Sequence, residues 1–266
     1  SSTEFYLLTD KGKSRLTNPS QWSADFLSLS DNVLNLIQNS SQSTDSLLVK
    51  SASNGTIYFV QDGKKRPIHT WTDLELMKIN PLVITTVADV TTNSLPTGTR
   101  LLGVGRLVKD PTSATVYVVE STSVITPITS FSIPVALGLD TGVQTLDATV
   151  LGSYSTNNSV LGFKISCGGK NYIAVGNGLR EIDAPQQPKY GLSYQSVDNR
   201  LCNNLPKLGL ATDFVGVPSG TIYKIENGAK RPITSYPIYL SLGGTPANTS
   251  SISESSSANI PTGSLY

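Results

Sequence analysis

Five tyrosines, Tyr6, Tyr58, Tyr117, Tyr172 and Tyr223, recur at spacings of 52, 59, 55 and 51 residues, and each opens the same short pattern. A branched aliphatic follows ten residues later as Leu16, Ile68, Ile182 and Ile233, with Ile128 one place further on in the third repeat. An internal repeat constrains the fold more than any other property. A unit of about 50 residues is one supersecondary motif that cannot bury its apolar face alone and must stack on its neighbours.

Between tyrosine and aliphatic lies a turn: Asp10-Lys11-Gly12, Asp62-Gly63, Asn177-Gly178, Asn227-Gly228, and the divergent Ser121-Thr122-Ser123. Asx-Gly between alternating apolar residues predicts a hairpin, because both central positions of a type I′ turn need positive φ. Leu47 to Lys50, Leu107 to Lys109, Phe163 to Ile165 and Phe214 to Gly216 supply an upstream strand, so each unit reads as a three-stranded meander. Short helices are expected after the hairpins at Pro19 to Leu27, Thr72 to Ile79, Ser132 to Leu137 and Pro237 to Leu242. The fourth repeat, with Pro185 to Pro188, has the weakest helical pattern. A last segment carries one acid per repeat, Asp31, Asp89, Asp147, Asp198 or Glu254, before an exit such as Leu95-Pro96-Thr97-Gly98 or Ile260-Pro261-Thr262-Gly263.

The whole chain, residues 1–266, is thus expected to be a single repeat domain with units near 1–46, 47–102, 103–160, 161–210 and 211–266. The first unit lacks the upstream strand, while Gly263 to Tyr266 repeats the start of one. Letting that terminal strand complete the first unit removes exposed edges, so the expected fold is all-β with short helices, a five-bladed β-propeller or propeller-like ring. The alternative is an open array of five small α+β units.

Composition bounds the function. Only 15% of residues are charged, and 20 basic side chains meet 19 acidic ones, so no long-range field gathers nucleic acid or anionic lipid. No apolar run reaches the roughly 20 residues of a membrane span, and no signal-peptide pattern opens the sequence. Cys167 and Cys202 lack zinc-site spacing; a disulfide is expected, with two free buried thiols as the alternative.

The motif Gly-Thr-Ile-Tyr, hairpin, Lys-Arg-Pro-Ile, short helix and Leu-Pro-x-Gly is sharpest at Gly55 to Ile68 and Gly220 to Ile233. It resembles a repeat of secreted and cell-surface bacterial proteins, often found beside cell-wall enzymes or anchoring regions. The resemblance implies an extracellular, accessory or adhesive role.

Candidate chemistry is sparse. The recurring acids could suggest a glycoside hydrolase, but catalysis needs an acid and a base in different surroundings. One acid per repeat at one place reads instead as a cap for the following turn or helix. Glu181 and Asp183 read as a solvated strand edge. His69, the only histidine, stands where the other repeats have Thr17, Thr129, Asp183 and Thr234, so a surface or turn position is expected. Neither catalytic residues nor a metal or cofactor site is assigned.

Lys64, Lys65, Arg66, Lys230, Arg231, Lys13, Arg15 and Arg180 fall on equivalent strands. They read either as an anion-binding surface or as arginines paired with the recurring acids and lysines guarding strand edges. Trp22, Trp71, Phe131 and Tyr236 lie just past that strand, where they either stack on sugars or pack between units. The candidate ligand-binding residues are Lys65, Arg66, Trp71, Lys230, Arg231 and Tyr236. Asn39, Asn54, Asn157 and Asn248 match the glycosylation sequon. The expected function is a non-enzymatic extracellular binding or adhesion module, with a glycan, cell-wall polymer or another surface protein as partner. A glycan-active hydrolase and a structural subunit of a surface appendage are the alternatives.

Overall fold

The computed structural model describes residues 4–22, 26–41, 47–80, 83–191 and 193–266. The chain divides into two compact units, Ser1–Gly103 and Val104–Tyr266, and the division falls between the second and third repeats. The described residues are mostly β with short helices, 32% strand and 22% helix, in four separate sheets of which none is closed.

The second repeat shows the plan. Strands Leu48–Ser51, Ile57–Gln61 and Lys64–Pro67 form the expected antiparallel meander, with Tyr58 opposite Pro67 and Val60 opposite Lys65. The turn between the last two places Asp62 at φ 51° and Gly63 at φ 69°, the positive pair that Asx-Gly supplies. Helix Trp71–Leu76 follows, opened by a capping box between Thr70 and Asp73. The chain then returns as strand Thr85–Val87, parallel to Leu48–Ser51, and enters a second helix, Asp89–Ser94. The exit segment runs parallel to the hairpin through bridges Lys65–Thr97 and Ile68–Leu101. A mixed sheet therefore replaces the plain meander, and the segment bearing the recurring acid is a strand plus a helix.

The third repeat follows this order with a second helix, Ala148–Leu151, of one turn. The fourth has a first helix of only one turn, Gln187–Tyr190, as its proline-rich sequence predicts, and an exit strand, Lys207–Leu210, parallel to Leu179–Ile182. The fifth carries helices Tyr236–Ser241 and Glu254–Ala258. The first repeat is reduced: hairpin Tyr6–Thr9 and Gly12–Arg15, a 3-10 turn at Pro19–Gln21, and helix Asp31–Leu36. Residues 23–25 of its expected Pro19-to-Leu27 helix lie outside the described residues.

Strand closure differs from the expectation. Tyr266 donates its amide to Pro232 and Thr262 bridges Lys230, so the terminal segment lies along the fifth repeat's own hairpin. In the first repeat, strand Tyr6–Thr9 meets Thr85–Val87 of the second at Thr9–Val87. The exit segment satisfies backbone groups nearest in sequence, where loop closure costs least.

Apolar residues of neighbouring repeats share cores. Leu7, Leu16, Trp22, Val49, Val60, Val87 and Leu95 bury together in the N-terminal unit. In the C-terminal unit Leu107, Val118, Ile165, Leu179 and Leu201 join the third repeat to the fourth, and Ile173, Ile182, Val215, Ile225 and Ile252 join the fourth to the fifth. Cys167 and Cys202 form the expected disulfide across 35 residues, tying the first strand of the fourth repeat to its second helix. Closing such a loop removes about 4 kcal/mol of unfolded-chain entropy, in the repeat with the poorest first helix.

Candidate binding surface

The lysine of Lys-Arg-Pro-Ile faces inward. Lys65 Nζ donates to the carbonyl of Thr92 at 2.6 Å, and Lys230 Nζ to the carbonyl and hydroxyl of Ser257 at 2.5 and 3.0 Å. Lys13, at the same register, donates to the carbonyl of Leu34. Each acceptor lies in the last turn of its repeat's second helix, whose terminal carbonyls lack intrahelical partners and whose dipole favours a cation. The repeat tyrosine supplies the other wall: Lys13, Lys65 and Lys230 lie 5.5, 5.5 and 5.2 Å from the ring centres of Tyr6, Tyr58 and Tyr223.

The fourth repeat makes the same contact by a different route. Leu179 stands at the lysine register, and Lys207 from the exit strand donates to the carbonyl of Cys202 at 2.5 Å while lying 4.9 Å from the ring centre of Tyr172. Tyrosine and lysine are thus two halves of one helix-end lock.

The arginines grip the exit segment. Arg66 Nε donates to Thr99 O at 3.0 Å, Arg231 Nε to Ser264 O at 3.1 Å, and Arg180 to Leu210 O at 3.1 Å. This corrects the expected pairing of arginines with the recurring acids. Arg231 also meets Glu226, at 3.3 Å, in a cluster with Lys224 at 2.7 Å and the Tyr266 hydroxyl. These partners, Lys224 first and Tyr266 next, hold the Glu226 carboxyl down at about 2. Sequence alone does not point to this cluster, for which the only signal is Lys224 two residues before Glu226.

The recurring acids sit at the start of the second helices. Asp147 accepts from Thr149 N at 2.8 Å and Asp198 from Arg200 N at 2.7 Å, both as N-caps. Asp89 and Glu254 lie inside the first turn and reach back to the first hairpin, Asp89 to Ser51 and Ser53, and Glu254 to Ser219 N at 3.0 Å. Those hydrogen bonds, from Ser51, Thr149 and Ser219 respectively, lower the carboxyls of Asp89, Asp147 and Glu254. Glu181 pairs with Lys170 on the neighbouring strand at 2.8 Å, and Asp183 accepts from Gln186 N at 3.2 Å. Among the described residues no group of three His, Cys, Asp or Glu is placed to hold a metal ion, and no helix is long and apolar enough to cross a membrane.

What remains open is aromatic. Trp71, Phe131 and Tyr236 are 61%, 47% and 63% exposed, whereas Trp22 is 3% exposed. Packing between repeats thus accounts for Trp22 alone. Trp71 and Tyr236 are first residues of helices capped by Thr70 and Ser235, and Phe131 immediately precedes Ser132–Leu137. Burial of these helices falls to Leu74, Ile133 and Tyr239, which leaves the leading ring in solvent. Tyr236 is braced by the Tyr239 ring, centre to centre 5.7 Å. His69 is also exposed, two residues before Trp71. Of the six candidate ligand residues, Lys65, Arg66, Lys230 and Arg231 are engaged inside their repeats, while Trp71 and Tyr236 face outward. Asn39 and Asn54 are exposed; Asn157 and Asn248 are half-buried.

No family model and no curated protein matches the sequence. Solved structures that match include a chain of the periplasmic assembly from the ESX-5 inner membrane complex (14% identity, 83% of this chain and 66% of that chain, TM-score 0.21). A chain of an intact ESX-5 inner membrane complex also matches (14% identity, 83% of this chain and 57% of that chain, TM-score 0.20). The chain therefore spans less than two thirds of either, and at these scores the likeness carries no argument.

Proposed function

We propose that this chain is a non-enzymatic binding or adhesion module of the extracellular space or cell surface, recognising a glycan or cell-wall polymer on repeated aromatic platforms. The observation that carries the reading is the open ring at one place in three repeats, Trp71, Phe131 and Tyr236. A flat apolar face beside polar Ser and Thr suits the C–H face of a sugar with its hydroxyl rim. A polymer that engages two or more rings gains avidity from weak single contacts. Lys65, Arg66, Arg180, Lys207, Lys230 and Arg231 are engaged at helix ends and exit strands, which favours a neutral sugar face over an anionic polymer. The disulfide fits an oxidising, non-cytoplasmic compartment.

Asp89, Asp147, Asp198 and Glu254 each hold local donors at the start of a second helix, which supports the capping role over the hydrolase reading. Among the described residues the four sheets are separate and none is closed, which is compatible with an array of repeat units.

Binding to a glycan array and to insoluble cell-wall material tests the proposal, with wild type compared against W71A/F131A/Y236A. Each ring is expected to contribute about 1 kcal/mol, so the triple variant should bind about a hundredfold more weakly with an unchanged melt. Absence of wild-type binding, or equal binding by the triple variant, refutes it.

A further inference from the structure

The fourth and fifth repeats close their second helices with the same pair of contacts. Lys230 Nζ donates to the Ser257 carbonyl at 2.5 Å and to the hydroxyl of the same residue at 3.0 Å. Lys207 Nζ donates to the Cys202 carbonyl at 2.5 Å and stands 3.5 Å from Cys202 Sγ. Ser257 and Cys202 are each the fourth residue of their helices, Glu254–Ala258 and Asn199–Asn204. The sulfur thus takes the place of the hydroxyl, and the helix-end lock holds an ammonium against one end of the Cys167–Cys202 disulfide.

That placement makes the two sulfurs unequal. In disulfide exchange an incoming thiolate takes one sulfur, and the other departs with the electron pair, faster when its thiolate is the more stable. A neighbouring ammonium stabilises a thiolate. Lys170, opposite Cys167 in the hairpin, gives its ammonium to Glu181 at 2.8 Å instead. The carbonyl end of a helix opposes an anion, but Lys207 covers that end too, bonding the carbonyls of Cys202 and Leu205 at 2.5 and 3.3 Å. Access favours the same direction of attack. Cys167 ends strand Lys164–Cys167 at the exposed turn Gly168-Gly169, where a Cβ on Gly169 would meet nothing within 4 Å, whereas Cys202 lies inside a helix. Both cysteines are buried, so a thiolate enters as this turn opens locally.

We propose that the Cys167–Cys202 disulfide is an exchange site for small thiols, at which Cys167 is the sulfur attacked and Cys202 the leaving group. The thiolate forms a bond to Cys167 Sγ, the bond between the two cysteines breaks, and its electron pair stays on Cys202 as a thiolate paired with Lys207. The product is a mixed disulfide on Cys167, and the step consumes no oxidant or proton. It reverses when Cys202 attacks Cys167 Sγ and expels the small thiolate. The bond from Lys207 to the Cys202 carbonyl does not depend on the disulfide, so helix Asn199–Asn204 keeps its lock while the bridge is open and holds Cys202 ready to return.

The native full chain, treated with reduced glutathione at mildly alkaline pH and quenched with iodoacetamide after short intervals, tests the proposal by peptide mass spectrometry. Glutathione on Cys167 with the alkyl group on Cys202 is expected to exceed the opposite arrangement about tenfold. Lys207→Gln should slow the exchange about tenfold and erase the preference, while Lys207→Arg, which keeps the charge, should retain both. Wild type unfolded in urea provides a reference that needs no variant to fold: its two arrangements should approach equality. Equal labelling of the two cysteines in the native chain, glutathione chiefly on Cys202, no adduct at all, or a folded Lys207→Gln that exchanges as wild type does overturns the proposal.

Discussion

Replacing Lys230 with methionine keeps a linear apolar stem and removes the ammonium. Three contacts go with it: the Ser257 carbonyl at 2.5 Å, the Ser257 hydroxyl at 3.0 Å and the Tyr223 ring at 5.2 Å. Hydrogen bonds to a charged donor and a half-desolvated cation–π contact together amount to about 4–5 kcal/mol. Against this, burial already pushes the Lys230 amine below the usual lysine range, so removing the charge recovers a desolvation cost of about 2–3 kcal/mol. The net expectation is a loss of about 2 kcal/mol, concentrated at helix Glu254–Ala258. The third repeat shows why the loss should be local. Ile125 occupies the lysine register there, and the end of Ala148–Leu151 is closed by its own chain through Gly152 N to Ala148 O at 2.8 Å and Ser153 Oγ to Val150 O at 2.6 Å. Native-state hydrogen exchange reads the effect: amides of Glu254–Ala258 should exchange about 30-fold faster in Lys230→Met, with those of Asp89–Ser94 unchanged. Unchanged or slower exchange in Glu254–Ala258 would show that desolvation outweighs the lock, and the reasoning from helix-end carbonyls would fail.

Two further outcomes follow from the same geometry. Gly138→Ala should cost about 2 kcal/mol or more, because it combines a positive φ with a clash on Asn177 O, whereas Gly243→Ala, with the same φ sign and open space, should cost about 1 kcal/mol; equal losses in denaturant melts would disprove the packing role of Gly138. Glu226 titrates near 2 when folded against a reference of 4.5, a lowered value, so its stabilisation is full above 4.5 and is lost as pH falls toward 2. Lys224→Gln should raise that titration in a carboxyl NMR pH series, and an unmoved midpoint would show that Lys224 is not its main partner.

Sequence spacing alone determined the repeat and the hairpins. Their causes are local: Asp62-Gly63 and Asn227-Gly228 supply the positive φ pair that a tight turn requires, wherever the turn sits. The second helices were legible only as a turn or helix after a capping acid, since Asp89–Ser94 and Ala148–Leu151 are too short to stand without tertiary partners and show no apolar periodicity of their own. The roles of Lys65 and Lys230 were hidden for a related reason. A lysine on a strand looks like an edge guard until the helix whose carbonyls it closes, 27 residues on, is in place. Lys207 makes the point most sharply: it replaces a lysine absent from another strand, which only the shared position over Tyr172 reveals. The sequence equally could not say that Trp22 is buried while Trp71, Phe131 and Tyr236 stay open. Exposure of a large ring depends on what packs above it, and that is set by how each short helix lies on its sheet, a property of the packed repeat rather than of any residue within it.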